Sequence, residues 1–122
     1  MLLRLSVLAG VVVVSTQVLA AEPQFVNTLD LLADYDQGDA SARQLILFGL
    51  AQVESGIALA NAELKAKGAV PLYCVPSQLV LTGEQILDML RRYAASHPEA
   101  GQSSYAVVIL KAAEDVFPCR AN

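Results

Sequence analysis

The sequence is short of the side chains that most catalysis and metal binding require. It contains one histidine, His97, and two cysteines, Cys74 and Cys119, with no Cys-x-x-Cys pair. A lone histidine does not complete a zinc site without partners. Ser96 stands beside His97 in a turn and no Gly-x-Ser-x-Gly elbow is present, so nucleophile, base and orienting group are not assembled. There is no phosphate loop and no dinucleotide fingerprint. Asp30, Asp34, Asp36 and Asp39 crowd one stretch, which invites a calcium reading. Counted from Asp34, however, the fifth, sixth and twelfth positions are Gly38, Asp39 and Leu45, so the order is wrong and the bidentate glutamate is missing. Asp39 reads instead as a helix cap or first-turn acid. The expectation is a protein that is not an enzyme and holds no metal or cofactor.

Basic residues are scarce too. Eight lysines and arginines face twelve acids over 122 residues. Nucleic-acid binding needs a concentrated basic surface to displace counterions, and Arg91-Arg92 is the only adjacent basic pair. Nucleic acid is therefore excluded as a partner.

What the chain does have begins at its N-terminus. Arg4 supplies a positive charge, Leu5 to Val14 form an apolar run, and Val18-Leu19-Ala20 offers small or modest side chains before a cleavage point. Residues 1–20 read as a signal peptide cut after Ala20, with Ala21 the nearest competitor. The run is short for a bilayer span of about 20 residues, so no stable membrane anchor is expected. Cleavage removes one basic residue, Arg4, leaving seven against twelve acids on a single domain of residues 21–122.

No proline-rich or glycine-serine linker divides that domain, and strand signals are nearly absent. Helical periodicity appears four times. A short first helix spans about Thr28 to Tyr35, with Phe25, Leu29 and Leu32 on one side. A second runs from Ala40 or Ser41 to Lys67 and is closed by Gly68. Within it Ile46, Leu50, Val53, Ile57, Ala60 and Leu64 follow a continuous apolar seam. Gly49 and Gly56 share nearly one face with Ala42, and mark either a kink or break in the helix or a close crossing with a second copy. Pro71 and Pro76 keep the following connection non-helical. Thr82 and Gln85 form a capping-box pair for a third helix, with Ile86, Leu87, Leu90, Tyr93 and Ala94 as its buried stripe. Pro98 ends that helix near His97. A fourth spans about Ser103 to Val116, its inward face formed by Ala106, Ile109, Leu110, Ala113, Val116 and Phe117.

The cysteines then fall into place. An exported chain with a minimal, even cysteine count is expected to pair its thiols. The third and fourth helices are joined by a short loop, so they form an antiparallel hairpin. Cys74 precedes the entrance of that hairpin and Cys119 follows its exit, which permits a disulfide. The predicted fold is an all-α, disulfide-stapled four-helix bundle.

With that pattern laid out, a resemblance emerges. Leu72-Tyr73-Cys74-Val75-Pro76, Leu81-Thr82-Gly83-Glu84-Gln85, Tyr93-(x3)-His97-Pro98 and Phe117-Pro118-Cys119 occur in the order and spacing of the Rap/Tai family of type VI secretion immunity proteins. The upstream run Leu31-Leu32-(x2)-Tyr35-(x2)-Gly38-Asp39, with Gly49, Gly56 and Asn61, is also similar. The resemblance implies a periplasmic homodimer that occludes an injected cell-wall amidase effector without catalysing anything. It also places the partner-binding residues on the loop between the third and fourth helices: His97, Pro98, Glu99, Gly101 and Gln102. There Glu99 approaches the effector's catalytic histidine, and Arg91 and Arg92 contact the rim. The competing reading is a periplasmic holdase or adaptor that binds many clients and has no cognate toxin.

Overall fold

A computed structural model describes residues 25–120, and the signal peptide expected over residues 1–20 lies outside them. The first three helices start where a side chain supplies a cap, and the fourth opens behind Ser104 without a side-chain cap bond. The first, α1 (Thr28–Gln37), begins behind Asn27, whose Oδ1 accepts from the Asp30 amide at 2.8 Å. Helix α2 (Ala40–Ala66) begins behind Asp39, whose carboxylate accepts from the Ala42 amide at 2.9 Å. It is one continuous helix of 27 residues, running unbroken through Gly49 and Gly56. It stops where Gly68 takes a φ of +72°, a left-handed conformation that glycine adopts without strain. Helix α3 (Gly83–Ser96) opens with the expected capping box between Thr82 and Gln85. A 3-10 turn (Pro98–Gln102) follows, and α4 (Tyr105–Val116) closes the fold.

The connection between α2 and α3 is irregular but tied down. Asn61 on α2 donates to the Tyr73 carbonyl at 2.7 Å and accepts from the Leu72 amide at 2.6 Å. One side-chain amide thus serves two backbone groups that would otherwise lack partners in a non-helical segment.

Helix α3 lies at the centre. Its Ile86 and Leu90 are fully buried against Leu50 of α2 and Val108 and Ile109 of α4. The N-terminal end of α1 is stitched to the segment before α4. The Thr28 amide donates to the Ser103 carbonyl at 2.9 Å, and the buried Thr28 hydroxyl donates to the same oxygen at 3.0 Å.

Two helices sit rotated from the faces their sequences suggest. On α1, Thr28 and Leu31 are buried while Leu29, and Phe25 just before the helix, stand exposed, because the Thr28 contact to Ser103 turns that side inward. On α4, Val108, Ile109, Ala112 and Ala113 are buried and Val116 is exposed. Small side chains at 112 and 113 fit where two helices pack closely.

Cys74 and Cys119 are joined, with Cα atoms 4.9 Å apart, and the Cys74 amide donates to the Phe117 carbonyl at 2.8 Å. The bridge holds the end of α4 against the segment leading into α3. The protein is a disulfide-stapled all-α bundle.

Candidate partner-binding turn

The turn between α3 and α4 is held from inside and presented outward. Helix α3 ends at Ser96, whose hydroxyl lies 3.1 Å from the Arg92 carbonyl and 3.2 Å from that of Tyr93. The His97 amide donates to the Tyr93 carbonyl at 2.9 Å. The His97 ring stacks on Tyr93, with centroids 4.1 Å apart and planes 15° from parallel. Its Nδ1 lies 3.1 Å from the Tyr93 carbonyl and the same distance from the Ser96 hydroxyl. When Nδ1 carries the proton it donates to that carbonyl. The ring is then fixed as part of the helix terminus, and among the described residues no carboxylate bonds to it.

Pro98 starts the 3-10 turn, with the Ala100 amide donating to the His97 carbonyl at 2.9 Å and the Ser103 amide to the Ala100 carbonyl at 3.1 Å. Ala100 and Gly101 are buried. A β-carbon on Gly101 would stand 2.6 Å from Cγ of Leu29, so a larger residue would require the exposed Leu29 side chain to swing aside. Pro98, Glu99 and Gln102 face solvent, and His97 is half-buried.

The seven residues expected at the partner surface do not form one patch. Pro98, Glu99 and Gln102 share the outside of the turn, while Gly101 supports it from within. Arg92 is exposed and pairs with Asp88 one helical turn back. It borders a shallow cleft of about 180 Å³ with Met89, Tyr93, Ser96 and Asp115. Arg91 points elsewhere. Its guanidinium makes a two-pronged pair with Asp36 at the end of α1 and lies 5.7 Å from the centre of the Tyr35 ring. Adjacent helical residues lie about 100° apart, so a basic pair in sequence need not be a pair in space. Arg91 ties α3 to α1.

The Tyr93–His97 stack is the feature that the sequence reading missed. The spacing of four residues on a helix was the available signal. Among the described residues no group of three or more His, Cys, Asp or Glu side chains is placed to hold a metal ion.

Neither a protein-family model, nor a characterised protein, nor a solved structure matches this chain. The reading of the turn therefore rests on its own geometry and on the sequence pattern.

Proposed function

We propose that the protein is a periplasmic immunity protein that docks its Pro98–Gln102 turn into the groove of a type VI secretion peptidoglycan amidase and occludes it. The resemblance to the Rap/Tai family supplies the partner class. The observation that supports the mode of binding is the construction of the turn. Its inner residues Ala100 and Gly101 are buried, and its outer residues Pro98, Glu99 and Gln102 are exposed. A preformed projection of this kind loses little conformational entropy on binding, which favours affinity. In this reading Glu99 is the group that faces the amidase's catalytic histidine, and Arg92 contacts the groove rim.

The test is inhibition of a genetically adjacent amidase by the oxidised, processed protein. Stoichiometric inhibition is expected, with Glu99→Arg weakening it strongly and leaving thermal unfolding unchanged. Absence of inhibition by the unaltered protein sinks the immunity reading and leaves the fold untouched.

A further inference from the structure

With Arg4 set aside, seven of the eight basic residues lie in the domain of residues 21–122, and most of them are already held. Lys67 pairs with Glu63, Arg91 with Asp36, Arg92 with Asp88 and Lys111 with Glu114. Arg43 donates to the carbonyls of Tyr35 and Asp36 at 3.0 and 2.9 Å. Lys65 and Arg120 remain. Both are exposed, and neither pairs with a carboxylate among the described residues.

These two cations are far apart in sequence, yet the Cys74–Cys119 bridge brings them to neighbouring grooves. Lys65, in the last turn of α2, borders a groove of about 240 Å³ against the connector, with Ala58, Pro71 and Val75 among its walls. Arg120 borders an open groove of about 540 Å³ past the end of α4, walled by Pro76, Phe117 and Pro118. Cys74 lines both, so the bridge is the ridge between them. The first groove also holds Asn61, but both ends of its amide are taken by the connector backbone. No acid lines either groove. The acids nearest in sequence are engaged or lie elsewhere. Glu63 and Glu114 are paired, and Asp115 lines the cleft beside Arg92.

Charge complementarity says what fits. Twelve acids face seven bases across the domain, so most of its surface repels an acidic partner and the stapled end does not. Each cation stands beside apolar walls, which suit the methylenes of a glutamate whose carboxylate reaches the cation. Two cations on either side of a ridge match two acids on one chain that crosses it. A ridge between grooves offers no flat face to a bilayer.

We infer that the stapled end docks an extended acidic segment of a partner protein across the Cys74–Cys119 ridge, with one carboxylate at Lys65 and another at Arg120. The α3–α4 hairpin puts this surface at one end and the Pro98–Gln102 turn at the other. The inference therefore does not rest on the amidase reading, and both surfaces can be filled together.

Fluorescence anisotropy tests it, with the processed, oxidised protein titrated into a labelled peptide of alternating glutamate and threonine. Alternation puts every carboxylate on one side of an extended chain. Saturable binding is expected, and it should weaken as salt rises. Lys65→Glu and Arg120→Glu should each weaken it by about tenfold, because an attraction becomes a repulsion. Lys111→Glu makes the same change in net charge on an exposed part of α4 and should have little effect. Circular dichroism checks that all three variants fold. The same peptide with glutamine in place of glutamate should not bind. Absence of saturable binding by the glutamate peptide overturns the inference, as does equal binding of the glutamine peptide. A loss in Lys111→Glu as large as in the other two would reduce the effect to general attraction and overturn it too. So would binding to phosphatidylglycerol vesicles, abolished by Lys65→Glu and Arg120→Glu, with none to the peptide, because the two cations would then serve a lipid surface.

Discussion

A β-carbon placed on Gly83 would stand 2.4 Å from the carbonyl oxygen of Leu47 and 2.9 Å from the Leu47 Cβ. The first turn of α3 therefore rests directly on the backbone of α2, and the obstacle is not a flexible side-chain end that can swing away. Gly83→Ala gains helix propensity of up to about 1 kcal/mol. It must also push two helices apart, and overpacking of this kind costs about 1–3 kcal/mol. A net loss of stability is expected in urea denaturation. A variant at least as stable as the parent would show that α3 can shift off α2 without cost.

The Cys74–Cys119 bridge closes a loop of 45 residues in sequence. On the chain-entropy argument, a loop of that length stabilises the folded state by about 4 kcal/mol. Cys119→Ser should lower the melting temperature clearly under oxidising conditions. In full reductant the two proteins should melt together. Equal melting of both without reductant would mean that the thiols do not pair in the purified protein.

The Arg91 hydrogen bonds hold the Asp36 carboxyl below its ordinary value of 3.8, with the charges of Arg91 and Arg43 adding to the effect. A carboxylate whose folded pKa is depressed adds stability that is present above the unfolded value and is lost as the pH falls through the folded one. Asp36→Asn should therefore be less stable than the parent at neutral pH, by a small amount because the pair is exposed. The difference should narrow below pH 3.8 and should shrink at high salt. Stability curves that stay parallel down to strong acid would remove the ion pair as a contributor.

Much of this architecture is legible because it depends on local chemistry. Asp39 caps α2, Thr82 and Gln85 close a capping box, Gly68 takes the left-handed turn and Pro98 stops α3, each by interactions within a few residues. The hairpin staple is legible for a similar reason, since helix lengths and a short loop place both cysteines at one end. Helix phase is less legible. In α2 the seam through Ile46, Leu50, Val53 and Ile57 is readable and does pack inward, but the equally apolar Leu45, Phe48 and Leu59 stay exposed, which periodicity does not foretell. On α1 the choice fell to Thr28, a polar residue whose burial is satisfied by Ser103, 75 positions away. At the candidate turn the proline was readable, but the separation of Arg91 from Arg92 was not. It depends on Asp36, which lies 55 residues from Arg91 in sequence.

Beneath the connector, two polar groups sit where neither is well served. Tyr73 is 2% exposed and its buried hydroxyl has no hydrogen-bond partner among the described residues. Burial raises the pKa of Tyr73, and the neighbouring Glu54 charge raises it further. Glu54 is half-buried, and desolvation lifts its carboxyl above the ordinary 4.5. A buried hydroxyl that lacks a partner costs about 1–3 kcal/mol, so Tyr73→Phe should stabilise the protein by about 1 kcal/mol. For Glu54 the sign is the reverse of that for Asp36. The folded chain holds this proton more tightly than the unfolded one, so the penalty is absent below pH 4.5 and grows as the pH rises through the folded pKa. Glu54→Gln should therefore be more stable than the parent at pH 7 and equal to it below pH 4.5. Urea titrations of both variants at the two pH values measure this. A loss of stability in Tyr73→Phe would mean that the hydroxyl finds a partner in solution. A loss in Glu54→Gln at pH 7 would identify the Glu54 carboxylate as that partner.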